Sequence, residues 1–245
     1  MVSNADRMTE TERVVELVTN GGEWRTAHEF VRETLRRAIL RGDLTGGSRL
    51  IQADLASQLD VSTTPVREAL RDLATEGLIT LDRHRGGVVR ELNWDEMEEI
   101  RLIREQLEPF AIELAVKGIS DAGLVEAERL CDRMAEDVDL ADWVDLNRRF
   151  HFLFHESTGA PRLASILKGL EEAAAVYVAQ AQRAHPEIRR RANEAHRAYV
   201  EACRARDVER ARKVMAGHAG MPIEMTDPDE RRTGIGQGGH GSGPE

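Results

Sequence analysis

Between Ala27 and Leu92 the spacing of apolar residues changes from a period of about 3.6 to a period of two, and that change leaves few folds open to this stretch. Phe30, Val31, Leu35, Ala38 and Ile39 keep the helical period, so a helix is predicted from Ala27 to Leu40, stopped by Arg41-Gly42-Asp43 before a turn containing Gly46-Gly47. A second short helix is predicted from Gln52 to Leu59, with Leu55, Ala56 and Leu59 inward. After the turn at Asp60-Val61, Ser62 or Thr63 caps a third helix running to Thr75, with Pro65 in the first turn, where its missing N–H costs nothing. Gly77 ends it. Leu78 to Asp82 and Val88 to Leu92 then alternate around Arg83-His84-Arg85-Gly86-Gly87, the pattern of a two-stranded hairpin. Three short helices followed by a hairpin with a basic, glycine-bearing tip describe a winged helix-turn-helix.

Such a module fits DNA for a geometric reason. The major groove admits one α-helix and shows it a distinguishable pattern of base edges, while a hairpin wing lies along the backbone or minor groove. The amino end of the third helix also favours phosphate. Use of the module for protein contact alone is the competing reading. The formal net charge of −10 would argue against a polyanionic partner if it were spread evenly. It is not: residues 24–92 hold 11 Lys+Arg against 10 Asp+Glu, and residues 93–225 hold 19 against 25. The acidity lies outside the segment that would grip DNA.

From Asn93 onward the helical period continues. Met97, Ile100, Ile103, Leu107, Ala111, Leu114 and Ala115 form one stripe to Gly118, and Asp95, Glu96, Glu98 and Glu99 fill the first turns as the helix dipole prefers. Further helices are predicted near 121–136, 139–158, 161–184, 186–206 and 207–219, separated by Gly118, Gly159-Ala160-Pro161, His185-Pro186 and Asp207. The expected fold class is mainly α: a winged helix-turn-helix over 24–92, then a bundle of about six helices over 93–225, flanked by a loose leader (1–23) and a glycine-rich tail (226–245). An aromatic content of 4% agrees with little sheet. Two cysteines, Cys131 and Cys203, build no disulfide framework, and no apolar run reaches the length of about 18 residues that a membrane span requires. A cytoplasmic protein without membrane contact is expected.

Histidines are the informative residues of the second half. Asn147 and His151 stand four apart on one predicted helix and so leave the same face, while His196 and His218 sit on the last two helices. Packing could bring three imidazoles and an amide oxygen around a divalent cation such as zinc, nickel or manganese. Surface or core histidines are the bland alternative. His155, one turn past His151, reads as an outer-shell group of that site or, the favoured reading, as solvent-exposed, and Tyr177 and Gln180 as candidates to line a cavity. A metal-dependent hydrolase and a helical interaction scaffold are the rival functions, but the chain shows no His-Glu-x-x-His motif and no nucleophile elbow.

Val61-Ser62-Thr63-Thr64-Pro65-Val66-Arg67-Glu68-Ala69-Leu70, followed by Leu73 and Glu76-Gly77-Leu78, resembles the DNA-binding domain of the GntR transcription regulators. Arg104 to Ala115, Leu146 to His151 with Leu153, and Glu194-Ala195-His196-Arg197 through to His218 are similar to the FCD effector domain of the FadR subfamily. The resemblance implies a ligand-responsive regulator, acting as a homodimer on an inverted-repeat operator in double-stranded DNA. It places DNA contacts at Ser62, Thr63, Thr64 and Arg67 and, on the wing, at His84, Arg85 and Gly86. Arg71 is read as a phosphate contact or as a partner of Glu68 or Asp72. The resemblance also implies a metal on Asn147, His151, His196 and His218, and a small carboxylate effector paired with Arg104. Two departures bear on the chemistry. Thr63 stands where the family most often has Arg, which removes a guanidinium from base reading. Asn147 stands where Asp is frequent, which leaves more positive charge for an anionic effector.

Overall fold

The computed structural model describes residues 26–82, 86–91 and 93–224, with the side chains of 219–224 excepted. These residues form two compact units: 26–91 joined by 139–145 and 171–180, and the remainder from 93 onward.

In the first unit, helix α1 (Ala27–Arg41) starts where the Thr26 hydroxyl accepts the Glu29 N–H at 3.1 Å, and it ends at Gly42 in the left-handed conformation. Strand β1 (Arg49–Ile51) leads directly into α2 (Gln52–Gln58); α3 (Thr63–Thr75), β2 (Ile79–Asp82) and β3 (Gly86–Val89) follow. The apolar positions named from the period close one core: Val31, Leu35, Ala38 and Ile39 of α1, Leu55 of α2, and Val66, Ala69, Leu70 and Leu73 of α3 are all buried. Glu76, just past α3, accepts from Arg32 at 2.8 Å and from Arg36 at 3.2 Å. Three carboxylates of the 139–145 segment belong to the same unit: Asp145 pairs with the buried Arg36 at 2.9 Å, Asp139 with Arg41 at 2.7 Å, and Asp142 with Arg37.

The hairpin is a three-stranded sheet rather than the two-stranded one expected, in the order β1-β3-β2 with both pairings antiparallel. Arg49-Leu50-Ile51 alternates exposed, buried, exposed, but three residues are too few for a period to be read from the sequence. Their approach explains Gly86. It has φ of +130°, pairs with Ile51 on one side and Asp82 on the other, and a Cβ there would sit 1.9 Å from the Leu50 carbonyl oxygen. Gly86→Ala is expected to lower stability by about 2 kcal/mol or more, read as an earlier midpoint in urea with an unchanged slope.

The second unit is helical. Its elements are α4 (Trp94–Gly118), α5 (Asp121–Ala135), the later turns of α6 (Leu140–Glu156), the first turns of α7 (Pro161–Ala184), α8 (Glu187–Arg204) and α9 (Val208–Glu224). The Asn93 side chain caps α4 by accepting the N–H groups of Asp95 and Glu96 at 3.0 and 3.3 Å. Helix α8 packs on α9, α5 and α4, and α9 also packs on α4, so α8 lies at the centre of the unit. Phe150, Phe154 and Tyr199 form its aromatic core, with Phe154 and Tyr199 centroids 4.5 Å apart. No helix among the described residues is long and apolar enough to cross a membrane.

Candidate functional site

The first unit offers a reading face. With Val66, Ala69, Leu70 and Leu73 turned into the core, Ser62, Thr63, Thr64, Arg67 and Arg71 stand exposed on the other side of α3 and at its amino end. Ser62 occupies the N-cap position, but its side chain accepts no backbone N–H of the first turn, so its hydroxyl is not spent on the helix. Asp72, one of the partners considered for Arg71, pairs with His28 at 2.8 Å. Gly86 is buried and holds the sheet together, whereas His84 and Arg85 lie outside the described residues.

In the second unit three helices bring histidines together. His151 comes from α6, His196 from α8 and His218 from α9. The His218 Nε2 lies 3.2 Å from the His151 Nε2 and 3.3 Å from the His196 Nε2, and all three ligand atoms fall within 4.8 Å of one another. Imidazole nitrogens on one zinc ion at about 2.0–2.1 Å stand about 3.3 Å apart in a tetrahedron, so these separations suit a shared cation. Phe150 holds the His196 ring from the side at 4.4 Å between centroids, and His151 stacks on His218 at 5.2 Å. Burial holds the imidazoles of both His151 and His196 well below their ordinary pKa, and the neighbouring His218 adds to this in each case. Both therefore present neutral lone pairs, the form that a metal binds. Asn147, one turn before His151, is buried, and its Oδ1 has no hydrogen-bond partner. Three convergent neutral imidazoles form a donor set that fits a divalent cation, and the orphaned Asn147 oxygen is a buried acceptor on the same helix as His151.

Beside the histidines lies a small cavity walled by Glu108, Ala111, Ile112 and Ala115 of α4, His151, Phe154 and His155 of α6, Tyr199 of α8 and Met215 of α9. His155 is buried here, against the expectation of solvent exposure. Its place one turn beyond His151 puts it on the same inward stripe. Arg104 is also buried, and its Nε donates to Glu108 Oε1 at 2.6 Å. Glu108 stands four residues from Arg104, and the pair is enclosed in the helical unit rather than on its surface. Tyr177 is buried on α7 in the portion that belongs to the first unit, and it is not among the residues walling this cavity.

The family model described as "Bacterial regulatory proteins, gntR family" matches residues 27–89, and that of the FCD domain matches residues 99–220. A protein of Paenarthrobacter nicotinovorans described as "Probable D-xylose utilization operon transcriptional repressor" is 30% identical over 211 residues, which cover 82% of this chain and 89% of its own. The HTH-type transcriptional regulator McbR of Escherichia coli strain K12 is 31% identical over 143 residues, 57% of this chain and 65% of its own. Against the first curated relatives it matches, the chain spans about half to two thirds of their length. The solved structure of E. coli McbR/YncC superposes with a TM-score of 0.66 at 26% identity, over 82% of this chain and 97% of that one. Two domain matches in the expected order, on a winged helix-turn-helix and a helical unit, lead to one conclusion: the chain belongs to the GntR family of bacterial regulatory proteins and carries an FCD domain.

Proposed function

We propose that this protein is a ligand-responsive transcription regulator that binds an inverted-repeat operator as a homodimer in the cytoplasm and represses until a small carboxylate arrives. The observation that carries the reading is the amino end of α3, where Ser62, Thr63, Thr64 and Arg67 are all exposed above a fully buried inner face. Relatives described as transcriptional repressors support the direction of regulation. His151, His196 and His218, with the Asn147 amide oxygen, would hold one divalent cation of the zinc, nickel or manganese type. Four neutral donors leave the cation's charge uncompensated, which favours a carboxylate ligand in a buried site, with the Arg104 guanidinium, now held by Glu108, as its second contact. Effector and operator are then linked: whatever factor one changes in the affinity of the other is returned in kind.

The test is binding of purified protein to promoter DNA of its own operon. Affinity should fall as salt rises, because phosphate contacts release counterions. Arg67→Ala should weaken binding by about 1–3 kcal/mol, roughly 5- to 150-fold, with loss of base preference if the guanidinium reads guanine and an even loss across sequences if it grips phosphate. Undiminished operator binding by a folded Arg67→Ala protein would remove this face of α3 from the interface.

A further inference from the structure

The cavity beside the histidines is small. Its volume is about 20 Å³, room for about one water molecule, whereas pockets that hold small ligands run to hundreds of Å³. One of its walls is an acidic residue, Glu108. Glu108 is 8% exposed, lines the cavity, and takes its hydrogen bond from the Nε of Arg104. Glu108 and Arg104 stand one turn apart on α4, a spacing at which a Glu and an Arg meet without help from any other element. An acid in this position is costly unless it has a cationic partner, and an incoming carboxylate brought to the same guanidinium would meet it as a like charge.

We propose that Glu108 is a resident competitor: in the effector-free protein it fills the place of the effector's carboxylate at Arg104, and an effector binds by displacing it. This rests on the effector site proposed above and deepens it. Glutamate suits the part because its side chain has three rotatable bonds and can swing aside while its backbone stays in the helix. The device sets a threshold. Because Glu108 is tethered next to Arg104, an anion must outcompete an intramolecular rival, so weakly bound metabolites are refused unless they also gain contacts elsewhere, such as at a cation on the three histidines. It also sets specificity, since a neutral molecule of the same shape has nothing to offer Arg104 in exchange for Glu108.

Glu108→Gln separates these effects, because the amide keeps the size of the side chain and an acceptor for the Arg104 Nε, but gives up the charge. With full-length protein titrated by calorimetry against acetate, the smallest carboxylate probe, Glu108→Gln is expected to bind at least about tenfold more tightly than wild type, and Glu108→Ala likewise. Acetamide, the neutral analogue of acetate, should show no comparable gain. Far-UV circular dichroism and a cooperative thermal melt establish that the variants are folded. If acetate binds wild type and Glu108→Gln equally, or the variant more weakly, while Arg104→Ala abolishes binding, the competitor role is overturned and the carboxylate site stands. If acetate and acetamide gain equally, the effect is one of space and the competitor role also falls. If acetate binds none of wild type, Glu108→Gln and Glu108→Ala, the effector site falls together with the competitor.

Discussion

Treating the wild-type protein with a chelator is expected to lower its melting temperature by roughly 10 °C, and His196→Ala is expected to hold no stoichiometric metal and to melt at the same temperature with or without chelator. A cation that binds only the folded state adds about 4 kcal/mol when its free concentration is a thousand times its dissociation constant. For a chain of this size each kcal/mol moves the melting temperature by about 2–4 °C. His196 is the residue to remove because it is the most enclosed of the three, with no exposed surface, and comes from the helix at the centre of the second unit. Acid should act in the same direction. The folded-state imidazoles of His151 and His196 titrate below their unfolded value, so their contribution to the stability of the metal-free protein is level above about pH 6.5. It declines below that as the unfolded chain takes up protons that the folded one refuses, and protons displace the cation over the same range. Elemental analysis with calorimetric melting checks each arm. A metal-free wild type that cannot be loaded with zinc, nickel or manganese would overturn the cation site and leave the DNA-binding reading intact.

The parts of the fold that were legible are those whose signal is local. The helices of both units follow from an apolar period interrupted by Gly, Pro and Asp, because a helix declares itself within two or three turns of its own sequence. Strand β1 was not legible: Leu50 is its one buried residue, and what makes Arg49–Ile51 a strand is its pairing with Gly86 to Val88, some 35 residues away along the chain. Gly86 shows the same limit. Its place in a basic hairpin tip is read from the sequence, but its need for glycine comes from the passing carbonyl of Leu50, which only the pairing of β1 reveals. For the histidine site, residue type and the four-residue step from Asn147 to His151 could be read directly, while the convergence of His196 and His218 depends on how α8 and α9 pack. The four-residue step from Arg104 to Glu108 marks them as a pair, but not whether the pair is enclosed. Helix α4 carries acids on every side, and only the rotation of the helix decides which one is enclosed with Arg104. His155 could have been placed inward by its four-residue step from His151.

Phe110→Asp is expected to convert the protein to a monomer and to weaken binding to the full operator by about 10²- to 10⁴-fold, the largest effect of any single substitution proposed for this chain. Helix α4 buries Met97, Ile100, Ala111, Ile112, Ala115 and Val116, yet leaves three large apolar side chains in solvent: Leu102 at 49%, Ile103 at 37% and Phe110 at 56% exposure. Ile103 and Phe110 are seven residues apart, two turns on one face, and Arg101, paired with Glu98 at 2.7 Å, gives that face a polar margin. In the proposed homodimer a second copy would bring the same apolar surface, as a two-fold interface requires, and the pair would supply two readers for an inverted repeat. A carboxylate in place of Phe110 would be desolvated without a partner at the middle of that interface, whereas in a monomer it would rest in water at no cost. Each half-site contact would then be made independently, without the gain in effective concentration that tethering two readers provides. Light scattering on the eluting protein reports the association state, and titration against full and half operators reports the coupling. Affinity for the half operator should be unchanged by Phe110→Asp, since α3 is untouched. A Phe110→Asp protein that remains dimeric would place the interface on another face, and a monomeric one that binds the full operator as tightly as wild type would show that pairing two readers contributes nothing to recognition.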